Sequence, residues 1–450
     1  MHLIYLALLA CLFCVPSLLH ASDEPVQAVT IDTLLQRAIN RNLIAGGVVV
    51  VGNKNGILHA SARGALNSNA AAPPLNEHTI FDIASLTKVV ATTPAVMTLL
   101  DSGKVALSDP ISRWFPEFKD AGRDDITLLH LLTHTSGLND FNVSGDDPMK
   151  TTIQRAAGEK FRNRPGERFN YADINFILLG EMVRRVSGLP LNEYCRSNIY
   201  EPLNARETMF LPPAHLASTI APTTDPTSGI VQDHNSRRLG GVAGHAGLFS
   251  SAYDLANYAR MILGGGVLDG KRILSEQVVT RMCSPYKSGN GVVRGLGWDI
   301  NSPYSAPRGM LFSDKSFGHT GYSGSSIWID PAQDLFVILL TNRLNYRETS
   351  VFNQLRRNVS TLASASFSLG NYPALPPVLE TERMLEELIQ EFKPAAIQLL
   401  PQKVVKQKVA KQKLVRSSSS KSLKLAFHKR SGKKTIKTAS AHRNGSRRRG

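Results

Sequence analysis

The 450-residue sequence holds only four cysteines, and its last fifty residues hold no acidic side chain at all. Four cysteines exclude a disulfide-stapled miniprotein. Cys11 and Cys14 fall in the apolar N-terminal stretch, which leaves Cys195 and Cys283, and their separation in sequence sets no pairing. Gly (34 residues) follows no collagen period, and a 42% apolar content excludes a wholly disordered chain. Beyond the N-terminus no segment is apolar enough to span a bilayer. The length suits one large domain of about 350 residues or two smaller ones.

The absence of acid at the C-terminus locates the charge. Residues Pro401–Gly450 carry 17 Lys and Arg, whereas the first 400 residues hold 35 basic and 36 acidic side chains. The net charge of +16 therefore belongs to a tail attached to a neutral body. The sequence pI near 9.7 gives no reason to expect nucleic-acid binding by the folded part. From Gln402 on, Lys, Arg, Ser and Val dominate, too poor in apolar residues to close a core. A solvated disordered tail is one reading of residues 401–450, and a tether to anionic lipid or an acidic envelope polymer is the sharper one. No feature sets an oligomeric state.

Met1–Ala21 reads as a secretory signal: Leu3–Leu19 is nearly all apolar, Pro16 interrupts it, and Ala21 supplies a small residue before a cut. An uncleaved anchor and a lipoprotein site at Leu9-Ala10-Cys11 are the alternatives. The expected organisation is a leader (1–21), a folded domain (22–375), a helical linker (376–400, with a helix over Glu380–Phe392) and the basic tail. The expected location is outside the cytoplasm, in the periplasm or cell envelope.

Within the body, Gly47–Val51 is a continuous β-branched run and Ile57–Ala62 follows turn residues, so two strands open the domain. Comparable runs return at Ser326–Ile329 and Leu335–Leu340, joined by a hairpin-like Asp330–Asp334. Between them Leu86–Leu100, Ile174–Val186 and Ala252–Leu263 repeat apolar residues at helical spacing. The pattern predicts an α+β fold: an antiparallel sheet of N- and C-terminal strands flanked by helices, with a mainly helical subdomain inserted between its halves.

Ser-x-x-Lys occurs four times. Pro285 spoils the copy at Ser284, and those at Ser418 and Ser431 lie in the tail. Only Ser85-Leu86-Thr87-Lys88 follows an apolar strand-like stretch and opens a helical pattern. Residues i and i+3 share a helix face, so Lys88 can reach the Ser85 hydroxyl. A serine attacking a carbonyl needs a base, and a desolvated lysine of lowered pKa at a helix N-terminus can serve. An N-cap serine beside an exposed lysine is the plainer alternative. Of eleven tyrosines only Tyr171 begins Tyr-x-Asp or Tyr-x-Asn, as Tyr171-Ala172-Asp173. A phenol near that lysine can relay a proton. The single Thr-Gly dipeptide stands in His319-Thr320-Gly321-Tyr322, leading into the strand at Ser326. Small residues there allow close backbone approach to a substrate, and an edge strand can bind an extended peptide.

Taken in this order, the three motifs resemble the serine β-lactamase and penicillin-binding protein superfamily. They are most similar to class C β-lactamases, D-alanyl-D-alanine carboxypeptidases and related esterases. Phe81–Lys88, Leu131–Leu138, Phe169–Gly180 and Gly247–Ser250 share the likeness, which covers about residues 30–365. The resemblance implies an acyl-enzyme on Ser85 with Lys88 and Tyr171 as the proton-transfer pair. It places the backbone N–H groups of Ser85 and Tyr322 in an oxyanion hole. It also sets His319 and Thr320 at the substrate carboxylate or its surroundings, Gly321 among the substrate-binding and oxyanion residues, and Asp173 against substrate or Lys88. His319 and Asp173 depart from the usual Lys-Thr-Gly and Tyr-x-Asn, which weighs against efficient β-lactam hydrolysis.

His130 and His134, with His245, invite a zinc site, but Leu131 stands where the metalloprotease pattern needs Glu. The reading therefore assigns no metal and no organic cofactor. Gly240–Gly247 lacks phosphate-loop spacing and reads as a close-packed loop bordering the cleft. The expected partner is a peptidoglycan stem peptide ending in D-alanyl-D-alanine, or a small ester or amide. Carboxylic-ester hydrolysis and weak β-lactamase activity are the alternatives, and a non-catalytic envelope-binding protein is the rival of another class.

Overall fold

The computed structural model describes residues 26–121, 123–160, 163–223 and 228–368. The expected leader, the helix over Glu380–Phe392 and the basic tail lie outside the described residues, as does the end of the expected folded domain.

Eight strands form the main sheet: β1 Ile44–Asn53, β2 Gly56–Gly64, β3 Tyr286–Lys287, β4 Val293–Arg294, β5 Asp299–Asn301, β6 Phe317–Thr320, β7 Ser326–Asp330 and β8 Leu335–Arg343. Their order across the sheet is β2-β1-β8-β7-β6-β5-β4-β3, every neighbouring pair antiparallel. N- and C-terminal strands thus meet at β1 and β8, where Val49 faces Leu339 and Val50 faces Ile338.

The β-branched run in β1 is continuous because both faces are covered. Val48 and Val50 pack into the large core beneath the helical part, while Val49 and Val51 pack against the terminal helices. β8 divides in the same way, with Ile338 and Leu340 on one side and Val337 and Leu339 on the other. The helices Val26–Asn40 and Thr349–Phe367 cover the second face. The chain between β2 and β3 forms the helical insertion and a small four-stranded sheet. In that small sheet Ile80–Asp82 lies between Leu248–Ser250, antiparallel, and Ile220–Ala221, parallel.

Two expected helices appear with little change, as Asp173–Ser187 and Ala252–Leu263. The second starts at Ser251, whose side chain accepts from the Asp254 N–H. The helix expected from Leu86 differs. A tight turn at Ala84–Leu86 passes into one wide turn at Lys88–Thr92, and regular α-helix begins only at Thr93, with Pro94 in the first turn. Strand β6 is not a free edge, because β5 pairs with it at Asp299–Gly318. Pairing on that side stops there, so His319 and Thr320 continue past the last β5 contact. Cys195 and Cys283 are free thiols.

Candidate active site

Strand Ile80–Asp82 delivers the chain to Ser85 through a strained corner. Ala84 has φ +46°, a conformation a side chain adopts at a cost of about 1–3 kcal/mol. The buried Asp82 holds the corner: Oδ1 accepts from the Ala84 N–H at 2.8 Å and Oδ2 from the Gln232 N–H at 2.6 Å. Burial pushes the Asp82 carboxyl up to about 6 against these two donors. Ser85 is the one partly exposed residue in Phe81–Val90, so its hydroxyl opens outward from a buried wall.

Lys88 is wholly buried. Its Nζ lies 3.0 Å from Ser85 Oγ, 3.0 Å from the His245 carbonyl oxygen and 2.6 Å from Asp173 Oδ1. Three acceptors match the three N–H bonds of an ammonium. Burial favours the neutral amine, yet the Asp173 carboxylate and then Tyr171 outweigh it and hold the ammonium well above the ordinary lysine range. This corrects the expectation of a lysine of lowered pKa. Desolvation and the helix terminus act in that direction, but a carboxylate in contact acts more strongly.

Tyr171 is carried by an extended segment pinned to His134. The Asn170 N–H donates to the His134 carbonyl at 2.9 Å and the Ala172 N–H to His134 Nδ1 at 3.2 Å. The imidazole stacks on the Tyr171 ring at 4.4 Å between centroids. Lys88 Nζ stands 5.2 Å from the centre of that ring. Burial raises the Tyr171 pKa; the Lys88 charge opposes it, and the Ser85 and Lys88 side chains hydrogen-bond in the same sense. The hydroxyl, the amine and the phenol expected to act together are therefore in one place.

The other expected residues fall around them. Asp173 contacts Lys88 rather than standing apart for substrate. His319 is buried, with Nδ1 2.9 Å from the Thr320 carbonyl oxygen. Burial, then the charges of Arg294 and Lys88, hold His319 well below its ordinary pKa, so the imidazole is neutral. Gly321 is glycine for a local reason: a Cβ would stand 2.1 Å from Ser325 Oγ and 2.4 Å from the Ile83 carbonyl oxygen. Its smallness therefore serves internal packing. Tyr322 is 54% exposed and its ring lies 4.9 Å from that of Tyr346.

The three histidines considered for zinc lie in separate hydrogen-bond settings. His130 Nδ1 accepts from the Thr127 N–H, His134 supports Tyr171, and His245 Nε2 meets Asp233 at 2.8 Å. Burial disfavours the Asp233 carboxylate, but the His245 contact outweighs it and brings it to about 2. Asp173, Asp233 and His245 each bring one ligand-type atom within 4.8 Å of the others. The cation beside them is the Lys88 ammonium itself. The glycine-rich loop borders the site as expected. Gly244 packs where a Cβ would lie 2.0 Å from the Phe176 carbonyl oxygen, and this approach presents the His245 carbonyl to Lys88.

Several residues of the site carry no motif. Asp82 stood out only as a charge within the apolar stretch Ile80–Ile83. Arg294 is buried, donates to Asp299 at 3.2 Å and projects its charge onto His319 and His134. Tyr304 is 48% exposed and its ring lies 5.1 Å from that of Tyr171.

A buried lysine, a serine on a strained corner and a phenol, set between a sheet and a helical insertion, define a serine hydrolase of the β-lactamase and transpeptidase fold. Solved structures share that fold. A class C β-lactamase superposes with a TM-score of 0.63 at 21% identity, covering 78% of this chain and 99% of that one. A penicillin-binding protein homologue from Caulobacter crescentus gives 0.63 at 20%, covering 76% and 98%. EstCE1, described as a hydrolase with promiscuous acyltransferase activity, gives 0.62 at 22%, covering 74% and 98%. At these identities the likeness speaks for fold alone. The family described as Beta-lactamase matches residues 31–359, and the chain belongs to it. A protein of Salmonella agona (strain SL483), provisionally named D-alanyl-D-alanine carboxypeptidase, is 29% identical over 304 residues, covering 59% of this chain and 70% of that protein. No helix among the described residues is long and apolar enough to cross a membrane.

Proposed function

We propose that this chain is an exported serine hydrolase that forms an acyl-enzyme on Ser85 and acts as a D-alanyl-D-alanine carboxypeptidase on peptidoglycan stem peptides. The contact of Lys88 Nζ with Ser85 Oγ at 3.0 Å, beside Tyr171, carries the acyl-enzyme reading. Ser85 Oγ adds to the substrate carbonyl and its proton passes to the Tyr171–Lys88 pair. The same pair then protonates the departing amine, and water hydrolyses the ester. Before it can accept the serine proton, the pair must lose one of its own. The Lys88 charge favours taking it from Tyr171, giving a phenolate beside an ammonium. The N–H groups of Ser85 and Tyr322 receive the oxyanion. Ser85 is the second residue of its short turn, where an N–H lacks an intrahelical acceptor.

The carboxypeptidase reading draws on the potential at His319. Arg294, Lys88 and Arg356 all act on it as positive charges, a field that suits a substrate ending in a carboxylate. The name of the Salmonella relative agrees with it. The neutrality of His319 favours a second reading, carboxylic-ester hydrolysis, because no ammonium stands at that position. Weak β-lactam hydrolysis comes third. The basic tail is proposed to hold the enzyme to anionic lipid or an acidic envelope polymer, each Lys or Arg contributing about 1 kcal/mol near such a surface.

Incubation with a muropeptide mixture, followed by mass spectrometry of released D-alanine, separates these readings. Release that disappears in Ser85→Ala supports the carboxypeptidase. Turnover of p-nitrophenyl esters without D-alanine release supports the esterase. Absence of both, with no covalent labelling of Ser85, supports a non-catalytic envelope-binding protein.

A further inference from the structure

Two buried arginines hold the turn that carries Tyr322: Arg343 donates to the Tyr322 carbonyl at 3.3 Å, and Arg356 holds the peptide before it. Arg356, on the helix Thr349–Phe367, is 4% exposed. Its Nη2 donates to the Gly321 carbonyl at 2.5 Å and to the Ser325 carbonyl at 2.9 Å, and its Nη1 donates to Asn353 Oδ1 at 3.0 Å. No carboxylate among the described residues pairs with it, and its Nε is buried without a partner. Burial, then the like charge of Arg343, brings its pKa down to about 9. An unpaired buried guanidinium is costly, and packing alone would be served as well by an apolar side chain.

The acceptor shows what the charge does. The Gly321 carbonyl and the Tyr322 N–H belong to one peptide unit. A charge-assisted hydrogen bond to the oxygen of a peptide withdraws electron density from its nitrogen and strengthens the N–H as a donor. The turn is also tied to the nucleophile: Ser323 Oγ donates to the Asp82 carbonyl at 2.6 Å and Ser325 Oγ to the Ile83 carbonyl at 2.9 Å. Within the turn the Gly321 N–H donates to the Ser325 carbonyl at 2.8 Å. Guanidinium, turn and nucleophile corner therefore form one continuous hydrogen-bonded unit.

We propose that Arg356 is a positioning residue that polarises the Gly321–Tyr322 peptide and so strengthens the Tyr322 N–H as an oxyanion donor. The inference rests on the serine-hydrolase reading of Ser85 and adds to it a source of transition-state stabilisation that never touches substrate. Acylation and deacylation both pass through a tetrahedral oxyanion, so kcat depends on Arg356 whichever step limits. Loss of a whole oxyanion donor costs about 100- to 1000-fold, and loss of its polarisation costs a smaller factor.

The test uses full-length protein, p-nitrophenyl acetate as the ester and phenylboronic acid as the tetrahedral analogue. In Arg356→Met, kcat falls about 10- to 100-fold, KM stays within about threefold, and the boronate Ki rises by the same factor as kcat falls. Arg356→Lys recovers part of both losses. A folded Arg356→Met with kcat and Ki within about twofold of the parent overturns the proposal, as does a change in KM alone. Should Arg356→Met fail to fold, Arg356→Lys decides: proportional losses in kcat and Ki support the proposal, and parental values of both overturn it. Absence of Ser85 labelling in the parent protein would instead overturn the hydrolase reading beneath it.

Discussion

Replacing Asp173 by Asn isolates the contact that sets the charge of Lys88. In the native site Asp173 Oδ1 lies 2.6 Å from Lys88 Nζ and is the largest influence raising the lysine pKa. Tyr171 is also raised, chiefly by burial. The base form of the pair appears only after a proton leaves, so acylation in the parent protein climbs toward alkaline pH. Asn keeps an oxygen for the ammonium but removes the negative charge. An opposite charge in contact moves a pKa by about 1–3 pH units, and the 27% exposure of the Asp173 side chain places this pair toward the lower end. The alkaline limb of kcat/KM for p-nitrophenyl acetate, measured from pH 5 to 11, therefore moves down by about 1–2 pH units in Asp173→Asn. An unmoved limb, or one displaced upward, would show that Asp173 does not govern the proton that the Tyr171–Lys88 pair must lose.

Other consequences reach beyond that contact. Burial raises Asp254 to about 6, so its ionisation opposes folding and its contribution declines as pH rises from about 4 to 6. Asp254→Asn keeps an oxygen for the Glu207 N–H and Thr208 hydroxyl and gains about 3 kcal/mol at pH 7, read as a flatter dependence of melting temperature on pH. Gly244→Ala forces a Cβ within 2.0 Å of the Phe176 carbonyl oxygen and displaces the His245 carbonyl from Lys88. It costs about 1–3 kcal/mol in denaturant titration and slows acylation together with it; parental values of both would contradict the packing described. Truncation after residue 400 abolishes binding to anionic vesicles at low salt and leaves ester turnover unchanged; equal binding by the truncated protein would refute the tether.

Much of this architecture could be read from local pattern. The run Gly47–Val51 is β-branched on both faces because both faces of β1 are covered, and that is visible without coordinates. Ala252–Leu263 shows its apolar face and its Ser251 cap. Ser85, Lys88 and Tyr171 were legible because each stands in a short motif beside a periodic segment. Features decided by tertiary contact were not. The charge on Lys88 depends on Asp173, 85 positions away, and the sign of that effect reverses what helix position alone suggests. The positive φ of Ala84 depends on a carboxylate two residues earlier being buried. Strands β3 and β4 have two residues each, too few to display a period. Arg356 lies on a helix face like any other arginine until its acceptors on the Tyr322 turn are known.

The account stands most directly on a covalent bond at Ser85. Intact-mass and peptide analysis after treatment with a fluorophosphonate probe is predicted to show one adduct, on the peptide containing Ser85. That adduct is absent from Ser85→Ala and forms more slowly by orders of magnitude in a folded Lys88→Ala. An adduct on another residue, or a parental labelling rate in Lys88→Ala, would contradict it.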